Sequence, residues 1–183
     1  PQGAKVVDIG CGDGLLDSLV LSQRPDLSIE GYDVLVRPNA HIAVHPYDGR
    51  QLPCADRLFD AVVLIDVLHH THDPRIVLGE AARVTRRSIV IKDHFADGFL
   101  ASATLRFMDH IGNAHHGIAL PYNFLTSKQW DMLFVELGLH KSAEITSLGL
   151  YPWFAAWVFE RSLHFIARLD LAAVKESNFQ NHS

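Results

Sequence analysis

Residues 5–16 read KVVDIGCGDGLL: a short apolar run reaches Asp8 and is followed by glycines at 10, 12 and 14. Glycines at alternate positions give up side-chain packing and leave a backbone that can adopt left-handed dihedrals and lie close to a bound group. Placed between a strand and a helix, such a turn exposes backbone N–H groups and the positive end of the helix. The stretch predicts a strand–loop–helix unit whose loop receives a polar or anionic ligand.

The rest of the chain repeats this alternation. Apolar runs recur at 27–33, 41–45, 59–66 and 88–93, and continuous apolarity points to strands covered on both faces. Helical patterns lie between them. One contains Leu15, Leu16, Leu19 and Val20. A second has Asp73 as cap and Pro74 in its first turn, and is expected to bury Ile76, Val77, Ala81 and Val84. In a third, Thr126 and Gln129 form a capping-box pair, Trp130, Leu133, Phe134 and Leu137 share one face, and Gly138 ends the helix. This order predicts an α/β fold with a parallel sheet. Residues 140–148 and 162–169 then read as two strands with no helix between them, which suggests an antiparallel edge pair.

Residues 1–170 read as one domain, in which about 95–125 form an inserted lid. Its helix face is expected to carry Leu100, Thr104, Phe107, Met108 and Ile111, and 171–183 form a polar tail. With 183 residues and 48% hydrophobic composition, the chain can bury one sizeable core. Its formal charge of −5 offers no basic face for nucleic acid, and no apolar stretch has membrane-spanning length, so neither partner is expected. Two cysteines are too few for a disulfide framework, which fits a cytoplasmic setting. Because the chain opens at Pro1 almost directly into a strand, a preceding segment of the natural protein is expected.

Spacing narrows the ligand. The dinucleotide fingerprint G-x-G-x-x-G would put its third glycine at 15, where this chain has Leu15. The pattern Asp-x-Gly-x-Gly-x-Gly instead resembles the nucleotide-binding loop of the class I S-adenosylmethionine-dependent methyltransferases. Further segments match in order: IEGYD ending at Asp33, then Asp48-Gly49, Leu52-Pro53, Phe59-Asp60 leading into the fourth strand, and VLHH…DP from Val67 to Pro74. The last resembles the small-molecule branch of that family.

This resemblance implies a Rossmann-like, doubly wound, seven-stranded and mostly parallel sheet. Its strand order would be 3-2-1-4-5-7-6 with the last strand antiparallel. It also implies S-adenosylmethionine as cofactor and methyl transfer to a small-molecule acceptor. Asp8, Gly10, Cys11, Gly12 and Gly14 would form the cofactor loop. Asp33 would bind the ribose hydroxyls, and its distance of about 20 residues from the glycines independently suits a ribose contact. Val34 would pack on adenine, Asp48 would accept from the adenine amino group, the Gly49 backbone would flank the ring, and Asp66 would lie beside the methionine end. Two rivals stay open at this point: a nicotinamide-dependent oxidoreductase, and a cofactor-binding module without activity.

His94 ends the fifth strand beside Asp93, at the sheet edge where open α/β folds bind ligands, and is the candidate general base. His70, Asn113, His115, His116 and Tyr122 are candidate substrate-pocket residues, solvated loop positions being the plainer reading. The HHTHD run at 69–73 invites a metal-site reading, but adjacent His69 and His70 diverge unless the backbone bends, so no metal is expected. Cys54 precedes the fourth strand and is read as packing, and Cys11 as a small loop filler.

Overall fold

A computed structural model describes residues 1–113, 121–149 and 163–172, without the side chains of 108–113. Seven strands form one sheet: β1 (Lys5–Ile9), β2 (Ser28–Asp33), β3 (Val44–Pro46), β4 (Phe59–Ile65), β5 (Thr85–His94), β6 (Leu139–Ile145) and β7 (His164–Leu171). Their order is β3-β2-β1-β4-β5-β7-β6. The first five strands run parallel, and β7 pairs antiparallel with both β5 and β6. The core follows from the apolar runs: Val7, Ile9, Val62, Leu64, Ile89, Ile91, Phe165, Ala167 and Leu169 are buried in the middle of the sheet.

The connecting helices are α1 (Leu15–Gln23), α2 (Pro74–Val84), α3 (Ala101–Asn113) and α4 (Ser127–Glu136). Asp73 caps α2 by accepting from the Arg75 amide, and Val77, Leu78, Ala81 and Val84 are buried. Ile76 turns instead toward a cavity described below. The Thr126–Gln129 capping box starts α4, which buries Trp130, Leu133 and Phe134, and Gly138 follows it with a φ of 65°. Among the described residues no helix is long and apolar enough to cross a membrane.

Three local expectations change. The strand expected at 41–45 begins at Val44, because the residues before it serve the glycine loop: the His41 amide donates to the Asp13 carbonyl at 2.7 Å. The apolar pattern of α1 faces outward, with Leu15, Leu16, Leu19 and Val20 exposed and Asp17 buried. Among the described side chains of α3 the buried ones are Ala101 and Leu105, one turn apart and packed on Leu163, while Phe107, and Leu100 just before the helix, are exposed. The expected side chains Met108 and Ile111, the run 151–159 and the tail after 172 lie outside the described residues.

Candidate cofactor and active site

The glycine loop joins β1 to α1 at the carboxyl edge of the sheet. Gly10 and Gly14 have φ of 79° and 72°, in the left-handed region where a side chain is strained. Space forbids a side chain as well. A Cβ on Gly10 would lie 2.5 Å from Val67 Cγ2, and one on Gly14 would overlap Ile42. The same Ile42 also lies against Gly31 of β2, where a Cβ would overlap the Cys11 sulfur. Asp33 ties the loop to β2: its Oδ2 accepts from the Gly12 amide at 2.8 Å and its Oδ1 from the Leu35 amide at 2.8 Å.

A cavity of about 480 Å³ opens beside this loop, a volume suited to a small-molecule site. Its wall includes Gly10, Gly12, Asp33, Val34, Asp48, Gly49, Asp66 and His70, eight of the residues singled out from sequence. Asp8, Cys11 and Gly14 are not on that wall but behind it, where they shape the loop. Val34 is exposed, and its Cγ1 lies 3.3 Å from where a Gly49 side chain would begin, so an apolar branch faces a bare backbone. Asp48 Oδ1 accepts from the amides of Gln51 and Arg50, each at 2.8 Å, and these bonds hold its carboxyl below the usual range. The carboxylates of Asp33 and Asp48 are therefore oriented before any ligand arrives, and each keeps acceptor capacity for a hydroxyl or amino group. Sequence reasoning missed Arg37, Tyr47 and Arg50 on the same wall, because none belongs to a spaced motif.

Asp66 and His70, on the cavity wall, belong to a polar cluster whose other members, His69, Asp93 and His94, do not line the cavity. Asp66 follows β4 with a φ of 55°, unusual for a residue with a side chain. Lys92 Nζ lies 2.6 Å from both of its carboxylate oxygens. A short 3-10 turn, Leu68–His70, bends the backbone so that the rings of His69 and His70 lie 3.9 Å apart. His69 Nδ1 lies 2.7 Å from Asp93 Oδ1, both residues being buried. Burial pushes the Asp93 carboxyl up, but hydrogen bonds from His69 and His94 outweigh it and hold the group well below the usual range. His94 Nδ1 is 3.4 Å from Asp93 Oδ1 and 3.7 Å from Asp66 Oδ1.

Phe124 closes this cluster, stacked on His69 at 5.1 Å and edge-on to His94 at 5.9 Å, with Tyr122 stacked behind it at 6.0 Å. Asn123 binds the segment to the histidine turn, donating through Nδ2 to the carbonyls of Thr71 at 2.7 Å and His72 at 3.0 Å. His164 on β7 stands opposite His94 in the antiparallel register, with ring centroids 4.7 Å apart. Asp66, His69 and His94 bring donor atoms within 4.8 Å of one another, so the set has the composition of a metal site. Lys92 already holds the carboxylate member, so an ion would have to displace that ammonium. His115, His116 and the side chain of Asn113 lie outside the described residues.

The model for the family described as "Methyltransferase domain" matches residues 1–148. No curated protein matches the chain. Among solved structures, an S-adenosylmethionine-dependent methyltransferase from Methanosarcina mazei has 15% identity, TM-score 0.69 and 94% coverage of each chain. A putative sarcosine dimethylglycine methyltransferase from Galdieria sulphuraria has 18% identity and TM-score 0.65, covering 93% of this chain and 79% of that one. A putative methyltransferase in complex with the Haloferax volcanii activator Trm112 has 14% identity and TM-score 0.66, covering 93% and 83%. The sheet order is that of the class I enzymes, and the nicotinamide rival falls with it and with the family match. The chain belongs to the methyltransferase domain family and is a class I S-adenosylmethionine-dependent methyltransferase.

Proposed function

We propose that this enzyme methylates a small molecule, with Asp33, Asp48 and the glycine loop holding the adenosine part of the cofactor and His94 acting as base. One observation carries the reading: a single cavity runs from two pre-oriented carboxylates at the bare loop to Asp66, which touches the histidine cluster. The residues fit S-adenosylmethionine. The Gly10 position leaves no room for a side chain, so backbone forms that wall, and Asp33 and Asp48 present acceptors suited to ribose hydroxyls and an adenine amino group. Val34 and Gly49 form the slot for a flat ring, and Asp66 marks the methionine end.

Bound there, the cofactor supplies a methyl group on a positively charged sulfur that is already an activated leaving group. The work left to the protein is alignment and proton handling. Asp93 faces His94 Nδ1; with the proton on that nitrogen, Nε2 is the acceptor and takes a proton from a hydroxyl or acidic carbon of the methyl acceptor. The Trp130 indole donates to the His94 carbonyl at 3.0 Å and fixes the strand end that carries the base. Phe124, Tyr122 and His70 form the side from which a small acceptor enters. The net charge of −5 favours such an acceptor over nucleic acid.

The test pairs binding with chemistry. Calorimetric titration with S-adenosylhomocysteine should show binding to the wild type and weaker binding to Asp33→Ala. Transfer of labelled methyl from S-adenosylmethionine across a metabolite panel should favour hydroxyl acceptors. Unaltered affinity of the Asp33 variant would remove the ribose assignment, and transfer confined to RNA or protein substrates would remove the small-molecule reading.

A further inference from the structure

Beneath the glycine loop lies a carboxyl pair that the cofactor reading does not use. Asp8, one residue before the end of β1, is 3% exposed, and Asp17, in the first turn of α1, is 5% exposed. The two enclosed carboxyls face one another, and a hydrogen bond between two carboxyls requires that one of them carry a proton. Asp8 Oδ1 and Asp17 Oδ2 are both enclosed and meet no hydrogen-bond donor among the described residues. The outward direction of the α1 leucines gives the pair its importance, because Asp17 is the buried residue through which this helix meets the sheet.

We propose that Asp8 and Asp17 share one proton, and that Asp17 is thereby a positioning residue that docks the start of α1 and holds the glycine loop in its binding shape. The chemistry is that of paired carboxyls in a dry site, where two negative charges side by side are not tolerated and one proton bridges them. The groups facing Asp8 are Asp17 on α1, Asp33 on β2 and Cys11 in the loop, while the Arg37 side chain lies over Gly12 on the cavity side. Burial, followed by the charges of Asp17 and Asp33, pushes the Asp8 carboxyl up to about 8. Asp17 is raised too, again chiefly by burial.

The sign follows directly. The unfolded chain releases these protons near pH 4, whereas the folded pair keeps one, so the folded state binds more protons between about pH 4 and 8. Stability from the pair is full below about pH 4, falls as pH rises, and is lost once the folded pair ionises. Asp17→Asn keeps a donor for Asp8 and removes one charge, which should flatten this dependence.

The experiment follows thermal midpoints from pH 5 to 9 for the wild type and Asp17→Asn without ligand, with S-adenosylhomocysteine affinity at the same pH values. The expected result is a variant midpoint about 4 °C or more above wild type at pH 8.5, with the gap closing to about 1 °C at pH 5. Wild-type affinity should fall about tenfold from pH 7 to 9, and variant affinity about twofold or less. Parallel midpoint curves would overturn the shared proton. Diverging midpoints with parallel affinity profiles would overturn the positioning role. If Asp17→Asn does not fold, Asp8→Asn makes the same comparison. S-adenosylhomocysteine that fails to bind at every pH would count against the cofactor reading, while the ligand-free curves would still decide the proton.

Discussion

At the glycine-loop end of the cavity, the carboxylates are held largely by their own neighbours. Asp33 accepts from the Leu35 amide, and Asp48 from Arg50 and Gln51. At the histidine end His94 meets its neighbour Asp93, but the other carboxylate contacts are distant. Asp66 meets Lys92 across 26 residues, and His69 meets Asp93 across 24. A locally braced carboxylate presents a fixed acceptor whatever occupies the cavity. The distant pairs depend instead on the β4–β5 register and on the turn after β4. On the proposed function, the first end would bind the cofactor and the second would handle the proton.

Four changes would break or sharpen that division, in decreasing order of expected effect. His94→Gln should lower turnover on a hydroxyl acceptor by about 10²–10⁴-fold with cofactor affinity within about twofold, as read by steady-state kinetics beside calorimetry. Equal losses in both would dissolve the division. Asp93→Asn removes a buried carboxylate that faces two imidazoles, and should destabilise the fold by about 3–5 kcal/mol in denaturant titration. Because the folded Asp93 carboxyl sits below its unfolded value, its stabilisation is present above about pH 4 and fades as pH falls. The variant should accordingly show a flatter acid limb.

Asp33→Ala should weaken S-adenosylhomocysteine binding by about 1.5–3 kcal/mol per lost charged hydrogen bond, less whatever water restores. Lys92→Met should cost the least stability, about 1 kcal/mol or below, because the Asp66 carboxylate is 40% exposed and water can replace the ammonium. A larger loss would mean that the ion pair holds the left-handed turn at Asp66.

The readable parts of this molecule are those written in adjacent residues. Asp73-Pro74, the Thr126–Gln129 box and the glycine spacing each carry a local physical cause, and each stands where the pattern placed it. The sheet order is legible only through the resemblance of those motifs to a family. Lys92 is one polar position in an apolar strand, and its role as partner of Asp66 exists only once β4 and β5 are paired. Asp17 was harder to see. A helix pattern with Leu15, Leu16, Leu19 and Val20 predicts that the leucines are inside, and the structure places the carboxyl there. The face expected for α3, with Leu100 and Phe107, also differs from the buried pair Ala101 and Leu105, because Leu163, which they meet, belongs to a segment far along the chain.

Cys11 has a consequence for how the enzyme meets oxidants. Burial first, then the nearby charges of Asp8, Asp33 and Asp17, push its thiol up to about 12. Oxidation and alkylation proceed through the thiolate, a form that Cys11 scarcely populates at neutral pH. Its sulfur also lies against Gly31, where an added oxygen would press on the β2 backbone. The glycine loop therefore contains a sulfur atom that is expected to react slowly with peroxide, so loss of activity under oxidative stress should be traced to other residues before this one.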